Sequence, residues 1–227
     1  MPKALKNCSI ENSIVEFRYQ SPFHRMYIQN EIVKALNQKG IELQEYRLVN
    51  DNEESDRGQV GRKMSFFSNN EVKFLVDRQL VSFNCVSAYP GWEKFFAFIT
   101  SAIKAIPEIG LQFDEVRVRY ISTYKLPIFD KLDGTVSLEW FKDVDGAEIR
   151  FPIRKNSVNG LVRVTNLLKS IDGKQQTSYV DVEVGTKIMP GTRENALSCC
   201  EVVHIEEKRN YFQLLSLDFV NELQPQY

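Results

Sequence analysis

Between Glu115 and Leu126 the chain alternates: Val116, Val118, Tyr120, Tyr124 and Leu126 are apolar, and Glu115, Arg117, Arg119, Thr123 and Lys125 stand between them. A period of two belongs to a β-strand, whose successive side chains point to opposite faces, and not to a helix of about 3.6 residues per turn. Such a strand sits in a sheet with one buried and one polar face. The rest of the chain must therefore supply neighbouring strands and an apolar layer to cover them.

Three segments have the pattern of that layer. Trp92, Phe95, Phe96, Ile99, Ala102, Ile103 and Ile106 follow helical spacing, with Tyr89-Pro90-Gly91 launching the helix and Pro107 and Gly110 stopping it. Nearer the N-terminus, Ile14 to Tyr19 reads as a strand. Ser21-Pro22 then offers an N-cap and a first-turn proline to a helix that buries Ile28, Ile32, Ala35 and Leu36 and ends at Gly40. At the other end Thr192 caps a helix on which Leu197, Val203, Tyr211, Phe212, Leu215, Phe219 and Leu223 return to one side, and Ser216-Leu217-Asp218 restarts it as a shorter helix.

The neighbouring strands are expected at Ile41 to Val49, Val60 to Ser68, Val72 to Val76, Leu80 to Ser87, Val136 to Phe141 and Glu148 to Ile153. In the first of these the apolar phase changes between Leu43 and Tyr46, the mark of a bulge or of a strand covered on both faces. Asn69-Asn70 and Asp77-Arg78-Gln79 are short polar turns, which makes an antiparallel meander. A long hairpin runs from Leu161 to Leu168 and back from Ser178 to Val184, turning at Asp172-Gly173. With Val162 and Val164 facing Val182 and Val184, Arg163 falls near Glu183 and Thr165 near Asp181. Asn50 to Gly58, NDNEESDRG, has no apolar residue to repay ordering and reads as a mobile loop. The expectation is an α+β fold, a mainly antiparallel twisted sheet or sheets packed by an N-terminal, a central and a C-terminal helix. Residues 1–227 form one domain, with residue 110 as the candidate boundary between two lobes, 1–110 and 111–227.

Composition narrows the function classes. The 43% hydrophobic and 26% charged residues are those of a globular chain, and 29 Lys and Arg against 30 Asp and Glu leave no net field to hold nucleic acid or an anionic membrane. The opening Met1-Pro2-Lys3-Ala4-Leu5-Lys6-Asn7 has no signal-peptide core and no apolar run reaches spanning length, so the expected location is cytoplasmic, without membrane attachment. Cys8, Cys85, Cys199 and Cys200 lack CxxC spacing and read as reduced, mostly buried thiols.

No GxxxxGK[ST] loop, GxGxxG turn or GxSxG elbow occurs, so phosphate cradling, dinucleotide binding and serine hydrolysis lack their local geometry, and no cofactor is expected. Two histidines restrict metal and triad chemistry. Of these His204 stands with Glu201 and Glu207 at helical offsets, an arrangement equally at home on a structural helix, and no metal site is expected. Carboxylate pairs for acid/base work would come from Glu139, Asp143, Asp145, Glu148, Asp181 or Glu183, residues that are also ordinary on strand faces and in Asp-Gly turns. Arg117, Arg119 and Lys125 share one side of a strand, with Arg150, Arg154, Lys155 and Arg163 on segments that neighbour it, which reads as a basic groove or as a solvated, salt-bridged sheet face; Trp140 and Phe141 are the aromatics near it. Trp92 reads as a helix packed on a sheet or as the wall of a pocket. The candidate ligand-binding residues are Arg117, Arg119, Trp92 and His204. Val202, Ile205, Leu214, Leu217 and Val220 extend the C-terminal helix's apolar surface past one stripe, which suggests burial on two sides or self-association.

Three stretches carry a resemblance: Tyr89-Pro90-Gly91-Trp92-Glu93 with its helix; Val116-Arg117-Val118-Arg119-Tyr120-Ile121-Ser122; and Val203-His204-Ile205-Glu206 running into Tyr211-Phe212 and Leu215-Ser216. In order and spacing they resemble a sporadically distributed family of uncharacterised bacterial proteins of similar length, known through a conserved-domain model. The second stretch looks like that family's Arg-x-x-x-Arg-Tyr-x-Asn segment, with the leading Arg displaced and Ser122 in place of Asn. The third is similar to its His-Glu helix and closing Phe-x-x-Leu-Thr. The resemblance implies an accessory bacterial protein linked to mobile-element or phage-defence loci, with no assigned reaction.

The functional expectation is a non-catalytic binding or protein-interaction module whose partner is a protein or a second copy of the chain rather than nucleic acid. The alternative is an enzyme on a nucleotide, RNA or other phosphorylated substrate, with Arg117 and Arg119 holding phosphate and His204 or a strand carboxylate moving the proton. That alternative needs Arg117, Arg119 and His204 in one cleft.

Overall fold

The computed structural model describes residues 2, 4–5, 10–48, 64–69, 71–77, 79–85, 89–133, 146–155, 157–169 and 176–226. The expected loop at Asn50 to Gly58, the strand at Val136 to Phe141, the Asp172-Gly173 turn, Cys8, and the outer ends of two expected strands (60–63 and 86–87) lie outside them.

In chain order the elements are β1 (Ala4–Leu5), β2 (Ile10–Gln20), α1 (Arg25–Gln38), β3 (Gln44–Leu48), β4 (Met64–Ser68), β5 (Val72–Asp77), β6 (Leu80–Cys85), α2 (Trp92–Ala105), β7 (Gln112–Tyr124), β8 (Glu148–Lys155), β9 (Val158–Lys169), β10 (Gln176–Gly191), α3 (Arg193–Leu214), α4 (Leu217–Glu222) and β11 (Pro225–Gln226). Among the described residues nine strands form one sheet in the order β3-β4-β5-β6-β2-β7-β10-β9-β8, and β1 pairs with β11 in a second, two-stranded sheet. Every pairing is antiparallel. The fold is α+β. Strands from both sides of residue 110 belong to the large sheet, with β2 and β7 hydrogen-bonded at its centre.

The alternation that opens the sequence decides which face is covered. Val116, Val118, Tyr120 and Tyr124 of β7 are buried together with Val15 and Phe17 of β2, Phe74 of β5, Phe83 of β6, Val162 and Val164 of β9, and Val180, Val182 and Val184 of β10. Helices close this face. Phe98 of α2 meets Phe83 edge-on at 6.2 Å, α3 lies along β7 and β10, and α1 runs beside α2 and against β5. Among the described residues no helix is long and apolar enough to cross a membrane.

Local chemistry sets the helix ends. Thr192 Oγ1 accepts from the Asn195 amide at 3.3 Å, and Ser216 Oγ accepts from Phe219 at 3.3 Å to start α4. The end of α1 is a Schellman closure, with the Gly40 amide donating to Asn37 and the Ile41 amide to Leu36, and Gly40 at φ +77°. The start of α1 differs from the sequence expectation. His24, not Ser21, is the N-cap, its Nδ1 accepting from the Met26 amide at 3.3 Å, while Ser21 Oγ is used one turn earlier by the Phe23 amide. An imidazole does what a short hydroxyl was expected to do, because Ser21 is occupied by its own turn.

Two further differences have physical causes. On α2, Phe98 is buried while Trp92 and Phe96 are half-buried, since the helix meets α1 and α3 as well as the sheet and so buries a wider stripe than one face. In the β9–β10 hairpin Arg163 stands opposite Asp181 and Thr165 opposite Tyr179, two residues from the expected register. An extra residue on β9 between Thr165 and Leu168 shifts the pairing there. A displacement of two leaves each side chain on its own face, so apolar alternation cannot distinguish the two registers.

Candidate functional site

The backbone just before α2 turns sharply at Gly91, whose φ of 91° and ψ of 154° lie where only glycine sits without strain. This turn places Trp92 at the first position of the helix and against α3. The indole stacks on Phe96 (centroids 5.0 Å apart, planes 15°) and on His204 (3.8 Å, 14°). His204 Nδ1 lies 3.4 Å from the Tyr120 hydroxyl, itself 2.8 Å from the hydroxyl of Tyr89. One turn further along α3, Glu207 is 3% exposed. The next turn brings Tyr211 to a hydroxyl contact with Tyr124. His204, Glu207 and Tyr211 thus make a polar seam on α3 facing Tyr120 and Tyr124 of β7.

Burial governs the electrostatics of this seam. Desolvation, helped by the Lys208 ammonium, pushes His204 down to about 3. Desolvation likewise drives the Glu207 carboxyl and the Tyr120 phenol well above their ordinary values, the latter helped by Tyr89 and Glu207. At neutral pH the imidazole carries no charge, and a base so weak is poorly matched to proton abstraction. Glu201, the other carboxylate at a helical offset from His204, is exposed. Among the described residues no group of three or more His, Cys, Asp and Glu is placed to hold a metal ion.

Arg117 and Arg119 project from β7 on the opposite face. Here Arg18, Arg117, Arg119 and Arg163 interleave with Glu16, Glu115, Asp181 and Glu183 across four neighbouring strands. Arg119 donates through Nε and Nη2 to Asp181 Oδ1 and Oδ2 at 2.8 and 2.7 Å, and Arg163 Nη1 donates to the same Oδ2 at 2.7 Å. Arg117 Nε reaches Glu115 at 2.6 Å and its Nη1 reaches Glu183 at 3.0 Å. Both guanidiniums are held in their charged form, above the ordinary value, first by hydrogen bonds to Asp181 and Glu115 respectively. Two nitrogens of each guanidinium are engaged by internal carboxylates, which is the solvated, salt-bridged face the sequence allowed.

The four sequence candidates therefore fall into two pairs. Trp92 and His204 stack on each other inside the helical layer; Arg117 and Arg119 belong to the ion-pair lattice across the sheet. The cleft that would unite Arg117, Arg119 and His204 does not form, because β7 carries the arginines on one face and the His204 partner Tyr120 on the other.

The open face holds a feature absent from the sequence reading. At one end of the lattice a concavity of about 440 Å³ crosses five adjacent strands, lined by Glu11 and Asn12 (β2), Ile121 (β7), Tyr179 and Asp181 (β10), Arg163 and Thr165 (β9) and Glu148 (β8). Sheet irregularities build it. Glu11 is an extra residue between Ile10↔Ser122 and Asn12↔Ile121, so Glu11 and Asn12 both line the concavity despite being consecutive. The β9 irregularity beside Thr165 and Tyr179 borders its other side. Asn12 Oδ1 is sequestered from solvent and has no hydrogen-bond partner among the described residues. The sequence marks Glu148, Asp181 and Arg163 as separate strand-face charges but not their meeting with Glu11, Asn12, Ile121 and Tyr179, because bulges help bring them together and bulges have no signature in polar residues such as Glu11 and Asn12.

No family model matches the chain, and neither does any curated protein.

Proposed function

We propose that this chain is a non-catalytic binding module that recognises a protein partner with the open face of its large sheet, around the concavity between β2 and β8. The observation that carries the reading is the solvent-open hollow of about 440 Å³ spanning five strands, on the sheet face that the described helices leave uncovered. Rigid strands, not loops, supply its lining, which suits a preformed binding surface. Further support comes from the rest of the molecule's chemistry. His204 is pressed between Trp92 and Tyr120, with its basicity suppressed by burial. The guanidiniums suited to phosphate are engaged by Asp181, Glu115 and Glu183.

The test is co-purification from the native host with a tagged chain carrying Thr165→Arg, which fills the hollow with a side chain from its half-exposed wall. We expect a specific partner retained by the unaltered chain to be lost. Retention by Thr165→Arg, with loss on Val202→Ser at the exposed side of α3 instead, would move recognition to the helix and end this reading.

A further inference from the structure

Resting on that reading, we infer that the concavity receives a single organic cation, the guanidinium or ammonium tip of an arginine or lysine side chain presented by the partner. The lining has three carboxylates, Glu11, Glu148 and Asp181, and one cation, Arg163. Most of this charge is already internally balanced. Asp181 Oδ2 accepts from both Arg119 and Arg163, and Glu148 Oε1 accepts from Arg150 Nε at 2.5 Å while its other oxygen lies 3.4 Å from the Thr165 hydroxyl. Glu11 is the exception. It is exposed, stands on the bulge, and among the described residues has no ion pair. One carboxylate left without an ion pair at the edge of the hollow complements one positive charge.

An anionic group fares badly in the same place. It would approach three carboxylates, and the one lining cation has its Nη1 given to Asp181 and its Nη2 turned toward Glu183 at 3.9 Å. Among the lining groups, the Glu11 carboxylate and the Thr165 hydroxyl oxygen can accept from a ligand's N–H groups. Ile121 and the Tyr179 ring offer apolar and aromatic surface for a methylene stem or a guanidinium plane. A long side chain with an apolar stem and a charged, donor-rich end has this distribution of properties, and a carboxylate or phosphate has none of it.

The experiment is an isothermal titration of the full chain with N-acetyl-arginine amide, using N-acetyl-norleucine amide as the neutral stem and N-acetyl-glutamate amide as the anion. We expect saturable binding of the arginine probe alone. Glu11→Gln should weaken it about tenfold, the worth of one charge-assisted hydrogen bond, and Thr165→Arg should abolish it. Glu11 is exposed and free of ion pairs among the described residues, so its variant should melt with the parent chain. Equal affinity for the arginine and norleucine probes, an unchanged affinity in Glu11→Gln, or no arginine binding at all would overturn the cation assignment. The two readings fail separately. A partner whose capture is lost in Thr165→Arg but unaffected by Glu11→Gln refutes the cation and leaves the binding face standing. A partner indifferent to Thr165→Arg removes the binding face, whatever the amide probes do.

Discussion

His204 and Glu207 sit one helical turn apart in the same seam, and burial pushes their titrations in opposite directions, His204 down to about 3 and Glu207 well above the carboxylate range. For His204 the folded state resists a proton that the unfolded chain takes up near its ordinary 6.5. Stability is therefore present above that value and drains as pH falls toward 3, at up to about 1.4 kcal/mol per pH unit. Replacing the imidazole with a ring that cannot charge, His204→Phe, should flatten this acid limb while keeping the stack on Trp92. For Glu207 the folded value is raised, so stability is complete below the ordinary 4.5 and declines as pH rises through the folded value. Glu207→Gln should then outperform the parent increasingly with pH, by about 1–3 kcal/mol at pH 8. Urea unfolding at a series of pH values checks both, and parallel curves for parent and variants would show that neither group is buried as described. The alternation at Val116, Val118 and Tyr120 marks which residues face inward. It could not tell that the polar His204 and Glu207 would join them, because helical spacing marks apolar stripes and is blind to a polar seam inside one.

At the scale of elements, β9 and β10 carry the tightest constraint in the sheet. A Cβ added at Gly160 would lie 2.0 Å from the Glu183 carbonyl oxygen, a backbone atom with nowhere to go. Gly160→Ala should cost about 1–3 kcal/mol or more, read as a lower urea midpoint at unchanged slope. A midpoint equal to the parent's would mean that the two strands do not approach this closely. Arg193 is a comparable device between helices. Its Nη1 donates to the carbonyls of Lys104 and Ile106 at 2.6 and 2.8 Å, closing the C-terminus of α2 from the first residue of α3. The helices and most strands were legible in the sequence, since caps such as Thr192 and Ser216 and stops such as Gly40 and Gly110 act locally. Strand register was not. Arg163 opposite Glu183 and Arg163 opposite Asp181 are registers two residues apart, and both bury the same valines, so the alternation cannot choose between them.

Across the whole molecule the nine-stranded sheet separates two kinds of polar chemistry. The helical side encloses His204, Glu207 and the tyrosines in a dry seam that rigidifies the packing of α3 on β7. The other side is wet, and its arginines and carboxylates neutralise one another strand by strand. The same two-residue alternation that makes β7 a strand put Arg117 and Arg119 on the face that cannot see His204. A chain of this topology can offer a partner a broad, rigid and nearly neutral surface, with the hollow at Glu11 as its one departure from charge balance among the lining residues. The most direct test is carboxylate footprinting of the chain alone and in its partner complex, read by mass spectrometry at Glu11, Glu148 and, on α3, the exposed Glu201. The account predicts that Glu11 and Glu148 lose reactivity in the complex while Glu201 keeps it; protection of Glu201 with Glu11 and Glu148 unchanged would contradict it.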